Sequence, residues 1–182
     1  MSKGPASLRG AVERRVGGLV FGSRDWIAKQ VDEVIPSLTS ARVLEIGSGR
    51  HDYGTDAYSL KTRFPSTTDF VQSDLNPDFG HLVVDITTME FDAEFDAIFC
   101  MSVLEHVDRF WDAIPRMHRA LRPGGRLVLS VPMNFPYHDE PADYYRFTVH
   151  GVRYLLREFT AVDLRSRGPR RLPFTVFAIA EK

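Results

Sequence analysis

A chain of 182 residues that is 43% hydrophobic has the material for one domain built around one sizeable core. Lysine and arginine number 23 against 24 aspartates and glutamates, so the formal charge is -1 and no global basic field exists to attract a polyphosphate, which argues against a nucleic-acid substrate. The one cysteine, Cys100, excludes internal disulfides and cysteine-rich metal sites.

Residues 1–40 are expected to form an N-terminal helical segment packed on a domain spanning 41–182. Leu8, Val12, Val16 and Leu19 recur at helical spacing with Arg9, Arg14 and Arg15 between them, a pattern shared by core-packing and membrane-surface helices, and Gly17-Gly18 interrupts it in favour of the former. The opening MSKGPASLRGAVERR has no apolar secretory core and no run reaches the roughly 18 residues of a membrane span, so a cytoplasmic location is expected. A helix over 24–35 should stop at Pro36. RVLEIG is apolar at nearly every position and reads as a buried first strand. A helical segment around 58–63 leads to the strand DFVQSD, and HLVVD follows so soon that the intervening crossover must be reduced to a turn.

FDAIFCM is a fourth strand, within which Cys100 reads as a buried small hydrophobe. A helix over 110–121 carries Ala113, Ile114, Met117, Ala120 and Leu121 on one face, with Pro115 tolerable only near its first turn, and RPGG stops it before the strand RLVLSVP. VHGVRYLLREF is helical, and TAVDLRS and FTVFAIAE are expected as a hairpin-like pair at the sheet edge. Strands alternating with helices in this way predict a seven-stranded, mostly parallel sheet covered by helices on both faces in a single domain. RSRGPRR, over 165–171, reads as the connector of the last two strands rather than a phosphate contact.

Gly47 and Gly49 fall directly after the first strand, where an open α/β sheet presents its carboxyl ends to a ligand. The turn GSGRHDYG has no Gly-Lys-Ser/Thr for a nucleotide triphosphate, and Asp52 stands where a dinucleotide site would place a third glycine. S-adenosylmethionine fits better, because its ammonium and sulfonium favour nearby carboxylates such as Glu45. Asp74 ends the second strand, where it can accept both ribose hydroxyls, and Asp85 follows the third, placed for an adenine amine beside the amide of Ile86.

At these residues the chain resembles the class I S-adenosylmethionine-dependent methyltransferases, and within them the methyltransferase type 11 group. The matching stretches are VLEIGSG, VQSDLN, VVDIT, FDAIFCMSVLEHV, LRPGGRLVLSVP and PYHDEPADYYRFT, over roughly 42–150. The resemblance implies a Rossmann-like fold, S-adenosyl-L-methionine as cofactor and a cofactor site drawn from Glu45, Gly47, Ser48, Gly49, Asp74, Leu75, Asp85, Ile86, Met101 and Ser102. It departs at His51, where many members have a small residue.

On the acceptor side, NFPYHDEPADYYRFT follows the fifth strand, and His138 and Tyr144 are the candidate catalytic residues. His106 is a further candidate, although Glu105 and His106 also suit a purely structural role at the start of the next helix. A metal cluster of His138, Asp139, Glu140 and Asp143 is set aside because proline interrupts it and no second histidine lies at ligand spacing, so no metal is expected. NPDF, over 76–79, reads as a turn because it follows the second strand, not the fourth. The expected reaction is methyl transfer to a small-molecule, glycan or lipid-linked acceptor. The alternatives are a cofactor-binding module without turnover, or a nucleic-acid or protein methyltransferase.

Overall fold

A computed structural model of the chain describes residues 23–49, 59–138 and 142–182. The patterned helix at 8–20, His51, Asp52, Asp139 and Glu140 lie outside the described residues. Residues 23–34 are helical (α1) and run into a 3-10 turn at Ile35–Leu38 begun by Pro36, which cannot continue the α-helical bonding. The strands are β1 (Arg42–Ile46), β2 (Asp69–Asp74), β3 (Leu82–Val83), β4 (Phe95–Met101), β5 (Leu121–Pro132), β6 (Ala161–Arg167) and β7 (Thr175–Glu181). Helix α2 covers Phe110–Ala120 and α3 Val149–Leu155.

All seven strands join one sheet in the order β3-β2-β1-β4-β5-β7-β6. Pairing is parallel from β3 through β5, and β7 runs antiparallel between β5 and β6. The two last strands do form an antiparallel pair, but β7 lies inside the sheet and only β6 is an edge. The burial pattern explains this: β7 is buried at five of its seven positions, whereas β6 has no fully buried residue. Arg165 in β6 is neutralised by Glu33 at 2.6 Å and Asp163 at 2.9 Å, which absorbs part of the basic RSRGPRR run into ion pairs.

Successive residues of the central strands point to opposite faces, and each face has its own core. Leu44, Ile98, Cys100, Leu127, Leu129 and Ala178 pack with α2 and α3, whereas Val43, Ala97, Phe99, Val128 and Phe177 pack with Val31 and Val34 of α1. Trp26 of α1 meets Phe177 edge-on at 6.2 Å. Helix α2 forms where expected and runs through Pro115, which lies just past its first turn. The lost hydrogen bond is offset by burying Ala113, Ile114, Met117 and Ala120 on the sheet.

Other boundaries differ from expectation: β3 covers only Leu82–Val83 of the expected HLVVD, and of the helical segment expected around 58–63 the described residues show a 3-10 turn at Lys61–Arg63. Strand β5 begins at Leu121 rather than Arg126, because Leu121 already pairs with Phe95 before the register shifts between Phe95 and Ala97. Helix α3 stops at Leu155, short of the expected Phe159. The link from β2 to β3 is a 3-10 turn at Pro77–Phe79, held by the Asn76 side chain accepting from the Asp78 amide at 2.9 Å. Among the described residues no helix is long and apolar enough to cross a membrane.

Phe99 is fully buried and meets Phe64 edge-on at 5.4 Å. Phe99→Ala should therefore lower the unfolding free energy by about 3–5 kcal/mol, read as a lower urea midpoint at unchanged m-value.

Candidate functional site

The carboxyl ends of β1, β2 and β4 and the turn after β3 gather most of the predicted cofactor residues at one end of the sheet. Glu45 lies in the central strand β1, 3% exposed, and its carboxylate holds the following turn. It accepts from the Ser48 hydroxyl at 2.7 Å, the Ser59 hydroxyl at 2.7 Å and the Leu60 amide at 2.6 Å. Burial raises the Glu45 carboxyl above its ordinary value, while those donors and His81 pull the other way. Glu45 thus organises the turn from beneath.

Gly47 and Gly49 both have positive φ, 71° and 68°, a region open to glycine at little cost. At Gly47 the need is also steric, since a Cβ would lie 2.6 Å from Val103 Cγ2. The turn is tied to β2 twice: the Ser48 amide donates to the Ser73 carbonyl at 2.9 Å, and the Gly49 amide donates to Asp74 Oδ2 at 2.9 Å. Asp74 Oδ1 accepts from the Asn76 amide at 3.0 Å. Each oxygen of this half-buried carboxylate retains a lone pair for a further donor.

Leu75 follows, 64% exposed, an apolar surface at the ligand end of the sheet. Asp85 is exposed, with Oδ1 accepting from the amide and hydroxyl of Thr87 at 2.8 and 2.7 Å, while Ile86 turns into the core. At the end of β4, half-buried Met101 leads to Ser102, whose φ of 55° is unusual for a residue with a side chain. The Ser102 amide donates to the Ser130 carbonyl at 2.9 Å, which fixes this bend against β5.

Beyond Ser102, the 3-10 turn Leu104–His106 meets the segment that follows β5. The amides of Tyr144 and Tyr145 donate to the Glu105 carbonyl at 2.8 and 3.3 Å. His106 Nδ1 lies 2.6 Å from the Ala142 carbonyl, and its ring meets His138 edge-on at 4.8 Å. His138 Nδ1 lies 3.2 Å from Asp143 Oδ2, and its own amide donates to the same oxygen at 2.9 Å.

Arg146 locks this segment. It pairs through two nitrogens with Asp143 and donates to the carbonyls of Phe135, Pro136 and Tyr145. The Arg146 hydrogen bonds hold the Asp143 carboxyl well below the usual carboxylate range. Glu105 is the opposite case. It is 1% exposed, burial pushes its carboxyl up to about 8, and Oε2 has no hydrogen-bond partner.

The predicted catalytic residues therefore separate. His106 and His138 are in contact, whereas Tyr144 points outward, 54% exposed. Tyr145 is the structural aromatic, packed on Phe110 at 4.8 Å with its hydroxyl donating to the Asp108 carbonyl at 2.8 Å. Spacing along the chain missed the second histidine beside His138, because the fold supplies it from the end of a different strand. The adjacent pair Glu105-His106 was the available signal.

The family model described as a methyltransferase domain matches residues 52–129. Among curated relatives, the ubiquinone biosynthesis O-methyltransferase of Dechloromonas aromatica (strain RCB) is 27% identical over 147 residues, covering 73% of this chain and 57% of that protein. Its counterpart in Xylella fastidiosa (strain M23) is 30% identical over 119 residues, covering 59% of this chain and 46% of that protein. The chain thus spans about half the length of these relatives. Among solved structures, the 1,6-didemethyltoxoflavin-N1-methyltransferase of Burkholderia thailandensis, with bound 1,6-didemethyltoxoflavin and S-adenosylhomocysteine, has a TM-score of 0.59 at 22% identity and covers 100% of this chain and 93% of its own. An S-adenosylmethionine dependent methyltransferase of Mesorhizobium loti has a TM-score of 0.65 at 14% identity, covering 87% of this chain and 98% of its own. These likenesses show the fold.

Gly47 and Gly80 provide a paired test of the turn. Gly80, with φ 74°, has nothing within 4 Å of a built Cβ, so Gly80→Ala should cost only the left-handed backbone, about 1 kcal/mol. Gly47→Ala adds the Val103 clash and should cost about 1–3 kcal/mol more, read as the difference between the two urea midpoints.

Proposed function

We propose that the chain is a class I S-adenosylmethionine-dependent methyltransferase that transfers a methyl group to a small-molecule acceptor, free or carried on a glycan or lipid. The observation that carries this reading is the turn at Gly47 and Gly49 held on the Asp74 carboxylate at 2.9 Å, with free lone pairs facing the ligand end of the sheet. The relatives named for ubiquinone biosynthesis O-methylation favour an oxygen as the acceptor atom.

The donor set suits the cofactor. Asp74 takes the ribose hydroxyls on its remaining lone pairs, exposed Leu75 covers a face of the adenine, and Asp85 with the Ile86 amide serves its polar edge. Met101 and Ser102 wall the pocket, while Glu45 and Ser48 keep the turn open. When bound, the cofactor supplies an electrophilic methyl on a sulfonium whose departure leaves a neutral thioether.

The chain's own residues then have mainly to position the acceptor and exclude water. The acceptor's lone pair would take that methyl, the electron pair of the broken carbon–sulfur bond staying on sulfur. The acceptor's proton leaves toward the cluster of His106 and His138. Tyr144 orients the acceptor from the exposed rim.

Asp74→Ala should weaken S-adenosylhomocysteine binding by about 10- to 150-fold in titration calorimetry, the effect of losing charge-assisted hydrogen bonds. Asp92→Ala, which removes an exposed carboxylate paired with Arg119 at 3.2 Å, should leave it unchanged. Equal affinities in the two folded variants would place the ribose elsewhere.

His138→Ala and Tyr144→Phe should leave cofactor affinity within about twofold and reduce methyl transfer by about 10- to 100-fold, because they act on the acceptor side alone. Release of S-adenosylhomocysteine against a panel of phenolic and alcoholic acceptors reads the rate. Full activity in both variants would make the segment after β5 a structural plug.

A further inference from the structure

Glu105, His106 and His138 each offer one ligand atom, and these atoms all lie within 4.8 Å of one another. The two imidazoles are oriented by hydrogen bonds at their far side. His106 Nδ1 is 2.6 Å from the Ala142 carbonyl, which only accepts, so the proton sits on Nδ1 and Nε2 carries a lone pair. His138 Nδ1 faces the Asp143 carboxylate at 3.2 Å and the Pro136 carbonyl at 3.3 Å, again acceptors alone, so its Nε2 also carries a lone pair.

Glu105 supplies the third group. Its Oε1 lies 4.0 Å from His106 Nε2, too far for a hydrogen bond, and its Oε2 is buried without any partner. Three potential ligand groups thus converge with no hydrogen bond among them. A buried carboxylate oxygen left in that condition is costly, and a cation satisfies all three groups at once.

We propose that Glu105, His106 and His138 bind one divalent cation of the zinc, iron and cobalt group, leaving an open coordination position for an oxygen of the methyl acceptor. Two imidazoles and one carboxylate suit these metals better than magnesium or calcium, which prefer oxygen ligands. Three protein ligands with a free position are the pattern of a site that acts on substrate, and such an ion lowers the pKa of a bound hydroxyl, which in the ion-bound chain replaces proton acceptance by the two imidazoles. The carbonyl and carboxylate on the two Nδ1 atoms are the outer partners that fix the tautomer of ligating histidines.

Bonds of about 2.0–2.2 Å would bring the ligand atoms to about 3.4 Å from each other. The side chain of His138, 34% exposed, has the freedom to close that distance. Asp143 keeps its charge balanced by Arg146, so the second shell adds no unpaired anion.

The binding of the ion does not depend on methyl transfer and is tested without it. The full chain, stripped with chelator and free of any added histidine tag, is titrated with Co2+ and separately with Zn2+, following visible cobalt absorption and calorimetric heat. One equivalent should bind saturably, and His138→Ala and His106→Ala should each weaken it by at least 10- to 100-fold. His150→Ala, at an exposed position in α3, should leave it unchanged. Circular dichroism confirms that each variant is folded, and His138→Ala, on a third-exposed side chain, serves where His106→Ala fails to fold.

Absence of saturable binding up to millimolar Co2+ and Zn2+ in the folded chain would overturn the proposal, as would equal affinities in the two ligand variants and wild type. S-adenosylhomocysteine titration of the same preparation separates the two readings. Cobalt binding without it supports the ion site and counts against the cofactor site; the reverse outcome overturns the ion site alone.

Discussion

The buried carboxylate of Glu45 is the interaction on which the ligand end of the sheet depends. It sits in the central strand, 3% exposed, and a charge there is tolerable only because Ser48, Ser59 and Leu60 all donate to it. Those donors come from both sides of the loop that follows β1. The carboxylate therefore ties the start of that loop to its end, and the path of the glycine turn follows from the need to satisfy one buried group. Asp74 repeats the device one strand away, where its oxygens take the Gly49 and Asn76 amides. Both acids use part of their bonding capacity on the backbone, and Asp74 keeps lone pairs that these amides do not use.

Arg146 does the corresponding work on the other half of the site. A guanidinium has five donors in a fixed plane, and here they reach the Asp143 carboxylate together with the carbonyls of Phe135, Pro136 and Tyr145. The segment after β5 has no ladder of its own to satisfy these carbonyls. One side chain replaces it, and in doing so it sets Asp143 to receive the His138 amide and ring nitrogen. The position of His138 is thus decided eight residues further along the chain.

How much of this could be read in advance depended on range. The strands DFVQSD and FDAIFCM were legible to the residue: FDAIFCM is the nearly unbroken apolar run of a buried parallel strand, and the half-buried DFVQSD is marked by its flanking aspartates. Both helical coats and the glycine turn were legible for the same local reasons. The place of β7 inside the sheet was not, since pairing order is decided by long-range burial that a short apolar run does not encode. The helix through Pro115 was legible, because its apolar face, packed against β5, outweighs the local rule about helix breaking. Among the site residues, His138 was found from its own loop. Its partner His106 was considered only as a separate candidate, since nothing in a linear spacing reports that β4 and β5 lie side by side and deliver their ends to one point.

The adjacency of β4 and β5 also couples the two halves of the site. Gly47 is in contact with Val103 so closely that no side chain fits between them, and Val103 stands two residues before Glu105. Ser102, immediately before Val103, has a left-handed φ of 55°, and its amide donates to the Ser130 carbonyl of β5 at 2.9 Å. A shift of the glycine turn is therefore transmitted through a valine methyl group into the strained bend that carries Glu105 and His106. The glycine turn and the histidine cluster are thus linked by contacts across three neighbouring strands, β1, β4 and β5, and under the proposed function that link would hold the two partners of a displacement reaction in line.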